Sequence, residues 1–292
     1  MKKIQALPFA STGLLLGIVA LSNLMKNFIA MVSSILFVIA GCLFLAILIK
    51  IVTYPAELQL LLKQSLPTSS LPTLAMAMML AGPRIPVFWY IGFIIHLGFM
   101  AYFTGLIWKK SRLDDLYPSW YIVYVGLAAG AIIAPQIGTG PLGWFCWIVG
   151  LISYLVLLPS VLYRLKKIPI PAANRLNLAI LAAPASLLLL GALALKISWA
   201  ILPLLCLSQI FYIGTIFLLR TTFQHPFSPT WSGMTFPSVS TATALFDSLA
   251  YLGNTQPALT ALAYAEIIFA TGIVGLVALH YLNYVYTKKG LS

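Results

Sequence analysis

Charge is scarce in this chain, and negative charge is scarcest: there are five Asp and Glu in 292 residues, and charged residues make up 8% against 61% hydrophobic. A water-soluble domain carries roughly a quarter charged residues, so a soluble fold is excluded. No G-x-x-x-x-G-K-[ST], H-E-x-x-H or G-x-S-x-G motif occurs, and the loops are too short for a nucleotide-binding domain, so an ATP-driven pump would need a separate subunit. A membrane enzyme would need a polar catalytic cluster. Asp114-Asp115 and His225 fall in different loops and form no evident constellation, so no enzyme is expected. Cys42, Cys146 and Cys206 lie inside apolar runs at no metal-like spacing; they read as free, buried thiols, with no metal and no cofactor expected. The short alternating segments of a β-barrel are missing. Met1-Lys2-Lys3 leads into an apolar run without a clear small-residue cleavage site, so no cleavable signal peptide is expected.

What is present is a succession of long apolar runs, the mark of an all-α polytopic membrane protein. Ten transmembrane spans are expected, approximately 8–24, 29–52, 71–81, 86–108, 118–135, 140–165, 176–195, 197–219, 231–250 and 258–286. The third looks too short to cross unless it starts near Leu66. Short connections join the spans in pairs, and the even-numbered members recur about every 55 to 60 residues. Five helical hairpins in a single transmembrane domain, 1–292, is the simplest description.

The net charge of +12 is read as topology rather than as nucleic-acid binding. Even spans run into Lys50, Lys109-Lys110, Arg164 with Lys166-Lys167, Arg220 and Lys288-Lys289. With Lys2, Lys3, Lys63, Arg112 and Arg175, 14 of the 17 basic residues fall on one side; Lys26, Arg84 and Lys196 fall on the other. Positive charge favours the cytoplasm, so both termini are expected to be cytoplasmic, in the cell (inner) membrane. Even spans are bulky. Odd spans are richer in Gly, Pro, Ser and Thr, with Gly13 and Gly17 in the first, Pro184 in mid-run in the seventh and Phe236-Pro237 in the ninth. Small residues permit tight packing; across five spans they also suggest an inner ring of odd helices around a pore, with the even helices outside facing lipid.

Residues 231–247 stand apart: six of the seventeen carry hydroxyls, and a carboxylate closes the stretch. Such a segment is ill suited to lipid. On a helical wheel Phe236, Ser240, Thr243 and Asp247 fall within about 60° of one another. Phe236 reads either as core packing or as a hydrophobic gate, with the hydroxyls as weak donors along the path. Asp247 and Glu266 are acids well inside predicted spans; each reads as a structural partner or a proton-coupling site. Lys26, Arg84 or Lys196 could pair with Asp247. His96 and His280, on even spans, read as interhelical hydrogen-bonding residues. The odd spans carry no Lys or Arg in their middles. That favours a weakly binding conduit ordered by dehydration cost over a strong dicarboxylate site.

The chain resembles the tellurite-resistance/dicarboxylate transporter family, which includes bacterial TehA, fungal malate and sulfite carriers and the plant guard-cell slow anion channels. The resemblance rests on T-F-P-S-V-S-T-A-T-A-L from Thr235, A-P-A-S from Ala183, P-S-W-Y from Pro118 and G-L-L-L-G-I-V-A-L from Gly13. It implies five inner helices around a pore, five outer helices, a homotrimer, and a plugging Phe that T-F-P places at Phe236. Pore-lining positions are then expected at Gly13, Gly17, Pro184, Pro237, Ser240 and Thr243. The chain departs from the family at Leu15 and at Val123-Tyr124, where the family often has Pro. The implied function is passage of small monovalent anions; the alternative is proton-coupled transport of C4-dicarboxylate, sulfite or tellurite-like oxyanions.

Overall fold

The computed structural model describes residues 2–222, 226–254 and 256–287; His225, Lys288 and Lys289 lie outside them. The described chain is helical, without strands. A short α1 (Lys2–Ala6) precedes α2 (Ser11–Met25) and α3 (Ala30–Thr53). Then come α4 (Pro55–Leu61), α5 (Ser65–Ser70), α6 (Thr73–Leu80) and α7 (Pro86–Tyr102), the last prolonged by π and 3₁₀ turns to Lys110. Next, α8 (Trp120–Tyr124) and α9 (Ala129–Ile133) are joined through 3₁₀ residues Val125–Ala128, and α10 (Gly140–Lys167) follows. A 3₁₀ stretch Ala172–Ala182 leads into α11 (Ala183–Ala194), then α12 (Ser198–Thr222); another, Pro229–Met234, leads into α13 (Thr235–Tyr251), then α14 (Pro257–Thr287).

Among the described residues, seven helical stretches are long and apolar enough to cross a membrane. The expected spans at 8–24, 71–81 and 231–250 do not qualify by that measure. Their α-helices have 15, 8 and 17 residues, against the roughly 20 that a bilayer core requires. The third expected span does extend toward Leu66, as α5, but breaks at Leu71–Pro72 before α6.

The short segments are the buried ones. The helix α2 packs on α6, α6 on α9, α9 on α11, α11 on α13, and α13 returns to α2, so the five close on themselves. In α11, every residue from Ala183 to Ala192 is buried. The long helices lie around this set and bury one stripe each. In α3 that stripe is Ser33, Ala40 and Ile47, two turns apart each time; in α10 it runs from Gly143 through Trp147, Gly150, Tyr154, Leu157 and Val161 to Arg164. Their other faces expose Val38, Leu45, Ile94, Leu155, Ile210, Ile268 and Leu279. So much apolar surface is stable against lipid and not against water.

Pro184 and Pro237 do not fall in mid-helix, where the hydropathy pattern places them. The α-helices begin at Ala183 and Thr235, so both prolines sit in a first turn, where a missing N–H leaves no carbonyl orphaned. The preceding residues run as 3₁₀ helix. The fifth segment makes the same change at Val125–Ala128 without proline, whereas α2 stays continuous through Leu15.

Two buried cations fasten the chain on the side of the termini. Lys50 Nζ donates to the carbonyls of Gln5 and Leu7 and to Glu57 Oε1, the last at 2.9 Å. Arg164 donates to the carbonyls of Ile168 (3.0 Å) and Asp114 (3.2 Å) and lies over the Tyr117 ring. Asp115 accepts from the Arg112 amide, so both members of the acidic pair hold a loop together.

Close helix approach leaves no room for a side chain at Gly92. A Cβ on Gly92 would lie 2.6 Å from the Ala75 carbonyl oxygen and 3.0 Å from the Met79 nitrogen, both backbone atoms of α6. Gly92→Ala is therefore expected to destabilise the protein by about 1–3 kcal/mol. Gly98→Ala, where nothing lies within 4 Å, should be neutral or gain up to roughly 1 kcal/mol. Thermal unfolding in detergent compares the two; equal melting temperatures would mean that α6 and α7 are not so closely packed.

Candidate functional site

Three cavities follow one another along the closed set of helices, with neighbouring elements completing the walls of the first and the third. The first, of about 410 Å³, opens on the side of the termini and is lined by Gln5, Phe9, Lys50, Glu57, Asn177 and Thr230, among others. The second is a pinch of about 40 Å³ with Leu16, Met76, Ile122, Val125 and Leu187 on its wall. The third, of about 610 Å³, opens on the far side beside Asn23, Lys26, Arg84 and Gln136. Gly13, Thr73, Ile122, Ile180, Ser232 and Gly233 border both the first and the second. Between the second and the third a single residue is shared: Phe236.

The local sequence explains why Phe236 stands there. It is the second residue of α13, at the change from 3₁₀ to α geometry, and Pro237 follows it. Two turns of α13 then carry Ser240, Thr243 and Asp247 along the far cavity, so the stripe read from the wheel exists in three dimensions. Pro184 and Pro237 line the pinch, and Gly13 lines the pinch and the first cavity. Gly17 is placed differently. A Cβ there would meet Thr235 at 2.5 Å, so Gly17 lies at the α2–α13 contact and borders none of the three cavities.

The hydroxyls of α13 do not offer protons to the path. Thr243 donates to the Val239 carbonyl (2.7 Å), Thr241 to Pro237 (2.8 Å) and Ser238 to Met234 (2.9 Å). Ser240 and Ser186 bond each other at 2.8 Å, each with a helix carbonyl also in reach. Turned back on their own helices, these groups are satisfied and leave only lone pairs toward the bore. The expectation that they act as donors is corrected accordingly.

Donors come instead from other residues, of which the sequence singled out Lys26 and Arg84 but not Asn177. The Asn177 Oδ1 accepts the Ser119 amide at 2.9 Å. A backbone N–H can only donate, so this fixes the amide orientation and leaves the Asn177 NH₂ for the first cavity. In the far cavity the donors are Lys26 and Arg84. Partial desolvation lowers the Arg84 pKa, but a guanidinium remains cationic. Asp247 borders the same cavity, yet among the described residues no ion pair joins it to Arg84, Lys26 or Lys196. In the sequence Asn177 only closes the polar N-R-L-N stretch at the start of an apolar run, which marks no site.

Glu266 is elsewhere. It is buried between α14 and α12, with Gln209 Nε2 3.5 Å from Oε2, and borders none of the three cavities. The His96 ring bonds the Val123 carbonyl at 3.0 Å and so joins α7 to α8, whereas His280 stacks on Phe227 in the connection ahead of the 3₁₀ stretch Pro229–Met234. Cys42 and Cys206 are exposed on outer helices and Cys146 is buried, all as free thiols.

A 149-residue stretch is 30% identical to an uncharacterized transporter of Methanocaldococcus jannaschii, covering 43% of this chain and 44% of that protein. The chain thus aligns with less than half the length of this curated relative. A family match covers far more: residues 6–282 match the voltage-dependent anion channel family. Seven helical stretches among the described residues that are long and apolar enough to cross a membrane, cavities in series and a match over nearly the whole length agree: this multi-pass membrane protein belongs to the voltage-dependent anion channel family, whose members transport anions.

Proposed function

We propose that the protein is a passive channel for small monovalent anions, with one pore per protomer running through the three cavities and Phe236 as its gate. The carrying observation is that Phe236 alone borders both the pinch and the far cavity. In this reading ten segments cross the membrane as five hairpins, the five buried segments surround the pore, and both termini are cytoplasmic in the cell (inner) membrane. The protomers form a homotrimer. An apolar ring at a 40 Å³ pinch can stop ions by dewetting, and rotation of one aromatic side chain removes the block. The lack of cations at the pinch supports weak binding and rapid exit, so permeation follows dehydration cost. Bound anions meet cationic donors only in the two wide cavities.

Asp247 supports a second reading. An unpaired carboxyl in the far cavity is placed to carry a proton with a C4-dicarboxylate, sulfite or tellurite-like oxyanion, whereas Glu266 is not.

Chloride efflux from proteoliposomes separates these readings. Phe236→Ala is expected to raise voltage-driven efflux by about tenfold or more, on the view that the ring supplies over about 1.4 kcal/mol of barrier; unchanged efflux from a folded variant sinks the gate. A pH gradient should not drive wild-type uptake. Uptake driven by the gradient, and lost in Asp247→Asn, would establish the carrier instead.

Accessibility gives a second check. In a background lacking Cys42, Cys146 and Cys206, a cysteine replacing Ser232 should react with a charged thiol reagent applied from the far side only when Phe236→Ala is also present. Equal reaction rates with and without Phe236 would show that the ring does not separate the cavities.

A further inference from the structure

We propose that Arg84 forms an anion-binding site in the far cavity, taking a small planar oxyanion such as nitrate, formate or bicarbonate on its guanidinium fork, with Asn23 and Ser33 as positioning residues. This rests on reading the cavities as an anion pathway, and names the ligand class that the far mouth selects.

The guanidinium is held in place by neutral groups. Arg84 Nη1 donates to Asn23 Oδ1 at 3.1 Å, Nη2 donates to Ser33 Oγ, and Cζ lies 4.5 Å from the centre of the Phe37 ring. Its holders are themselves fixed. Asn23 Nδ2 donates to the Leu80 carbonyl at 2.8 Å. Ser33 Oγ donates to the Ser22 carbonyl at 2.6 Å while Ser22 Oγ donates to the Ser33 carbonyl at 2.7 Å. Ser33 has thus spent its proton and can only accept from Arg84.

An arginine side chain has five N–H donors, and two are used here. The remaining three have no carboxylate partner among the described residues. Lys50 and Arg164 make the contrast. Lys50 is neutralised by Glu57, and Arg164 is buried at 1% exposure with two backbone carbonyls as acceptors. Arg84 is half-buried, oriented, uncompensated, and on the wall of a 610 Å³ cavity. A planar fork of parallel N–H groups matches two oxygens of a planar anion and has no such match with a spherical one.

The cavity also explains why the site would not trap its ligand. Asp247 faces the same space, and its negative charge opposes a bound anion while Lys26 favours it. Conduction needs a site strong enough to fill and weak enough to empty, so half-saturation is expected in the millimolar range, on the order of 1–10 mM.

The test uses the purified full chain, with sodium nitrate or chloride as probe against gluconate at constant ionic strength, and reads the rise in unfolding temperature with anion concentration. Arg84→Lys keeps the charge and loses the fork. It should raise the half-saturating nitrate concentration about tenfold, the loss of roughly one charge-assisted hydrogen bond, and leave the chloride dependence within about twofold. Asp247→Asn should lower half-saturation for nitrate by about threefold or more. A folded Arg84→Lys whose nitrate curve overlays wild type overturns the site, as does an Asp247→Asn curve that overlays it. Flux measured on the same preparations keeps the two ideas apart. Binding that depends on Arg84 without any anion flux overturns the channel and leaves the site; flux with binding indifferent to Arg84 does the reverse.

Discussion

The structure depends on the contact between α2 and α13. These helices lie near opposite ends of the chain, and only their meeting closes the set of buried segments. Gly17 leaves no room for a side chain against Thr235, and Thr235 Oγ1 reaches the Gly13 carbonyl at 3.1 Å across 222 residues of sequence. Gly13 faces Ser232 in the same way. A larger residue at Gly17 would push α13 outward, and Phe236, the next residue after Thr235, would move with it. The backbone approach that seals the set therefore also sets the position of the aromatic ring at the pinch.

Polar groups are handled on one plan throughout. Away from water, hydroxyls and amides need partners, and in this protein most find them close by. Ser238, Thr241 and Thr243 in α13 bond back to their own helix, Ser22 and Ser33 exchange bonds between α2 and α3, and Trp147 donates to the Leu188 carbonyl. With so many protons committed, the few groups left over have a disproportionate effect on what the cavities prefer. Asn177 on one side and Arg84 on the other are such groups. The pinch has no charged residue in its lining, which suits a place where an ion should not rest.

Much of this was legible in the sequence, for identifiable reasons. Long apolar runs reveal the lipid-facing helices because hydropathy is a sum over many residues, and the polar stripe from Phe236 to Asp247 survives because a helix has one period. The 3₁₀ stretches before α11 and α13 were not legible: Pro184 and Pro237 sit inside continuous apolar patterns, and only tertiary packing decides that α geometry starts one or two residues before each. The surroundings of Arg84 were equally hidden, since Asn23 and Ser33 lie 61 and 51 residues away in sequence. Lys50 and Arg164, counted as orienting charges, turn out to be clamps on loop carbonyls as well. Asn177 gave no pattern at all, because one amide at the start of an apolar run has no period to detect.

The 3₁₀ segments have a consequence for length. A 3₁₀ helix rises about 2.0 Å per residue and an α-helix about 1.5 Å. Six 3₁₀ residues, Pro229–Met234, ahead of the seventeen of α13 let that run reach about 37 Å, beyond the roughly 30 Å of a bilayer core. Those six residues thus supply the length that α13 alone, at about 26 Å, does not have. A 3₁₀ helix is also thinner, at three residues per turn. Residues 172–182 and 229–234 supply Asn177, Ile180, Thr230, Ser232 and Gly233 to the wall of the 410 Å³ cavity. Narrowing two staves of the barrel on one side leaves a funnel there, and the return to α geometry at Ala183 and Thr235 is where the funnel ends.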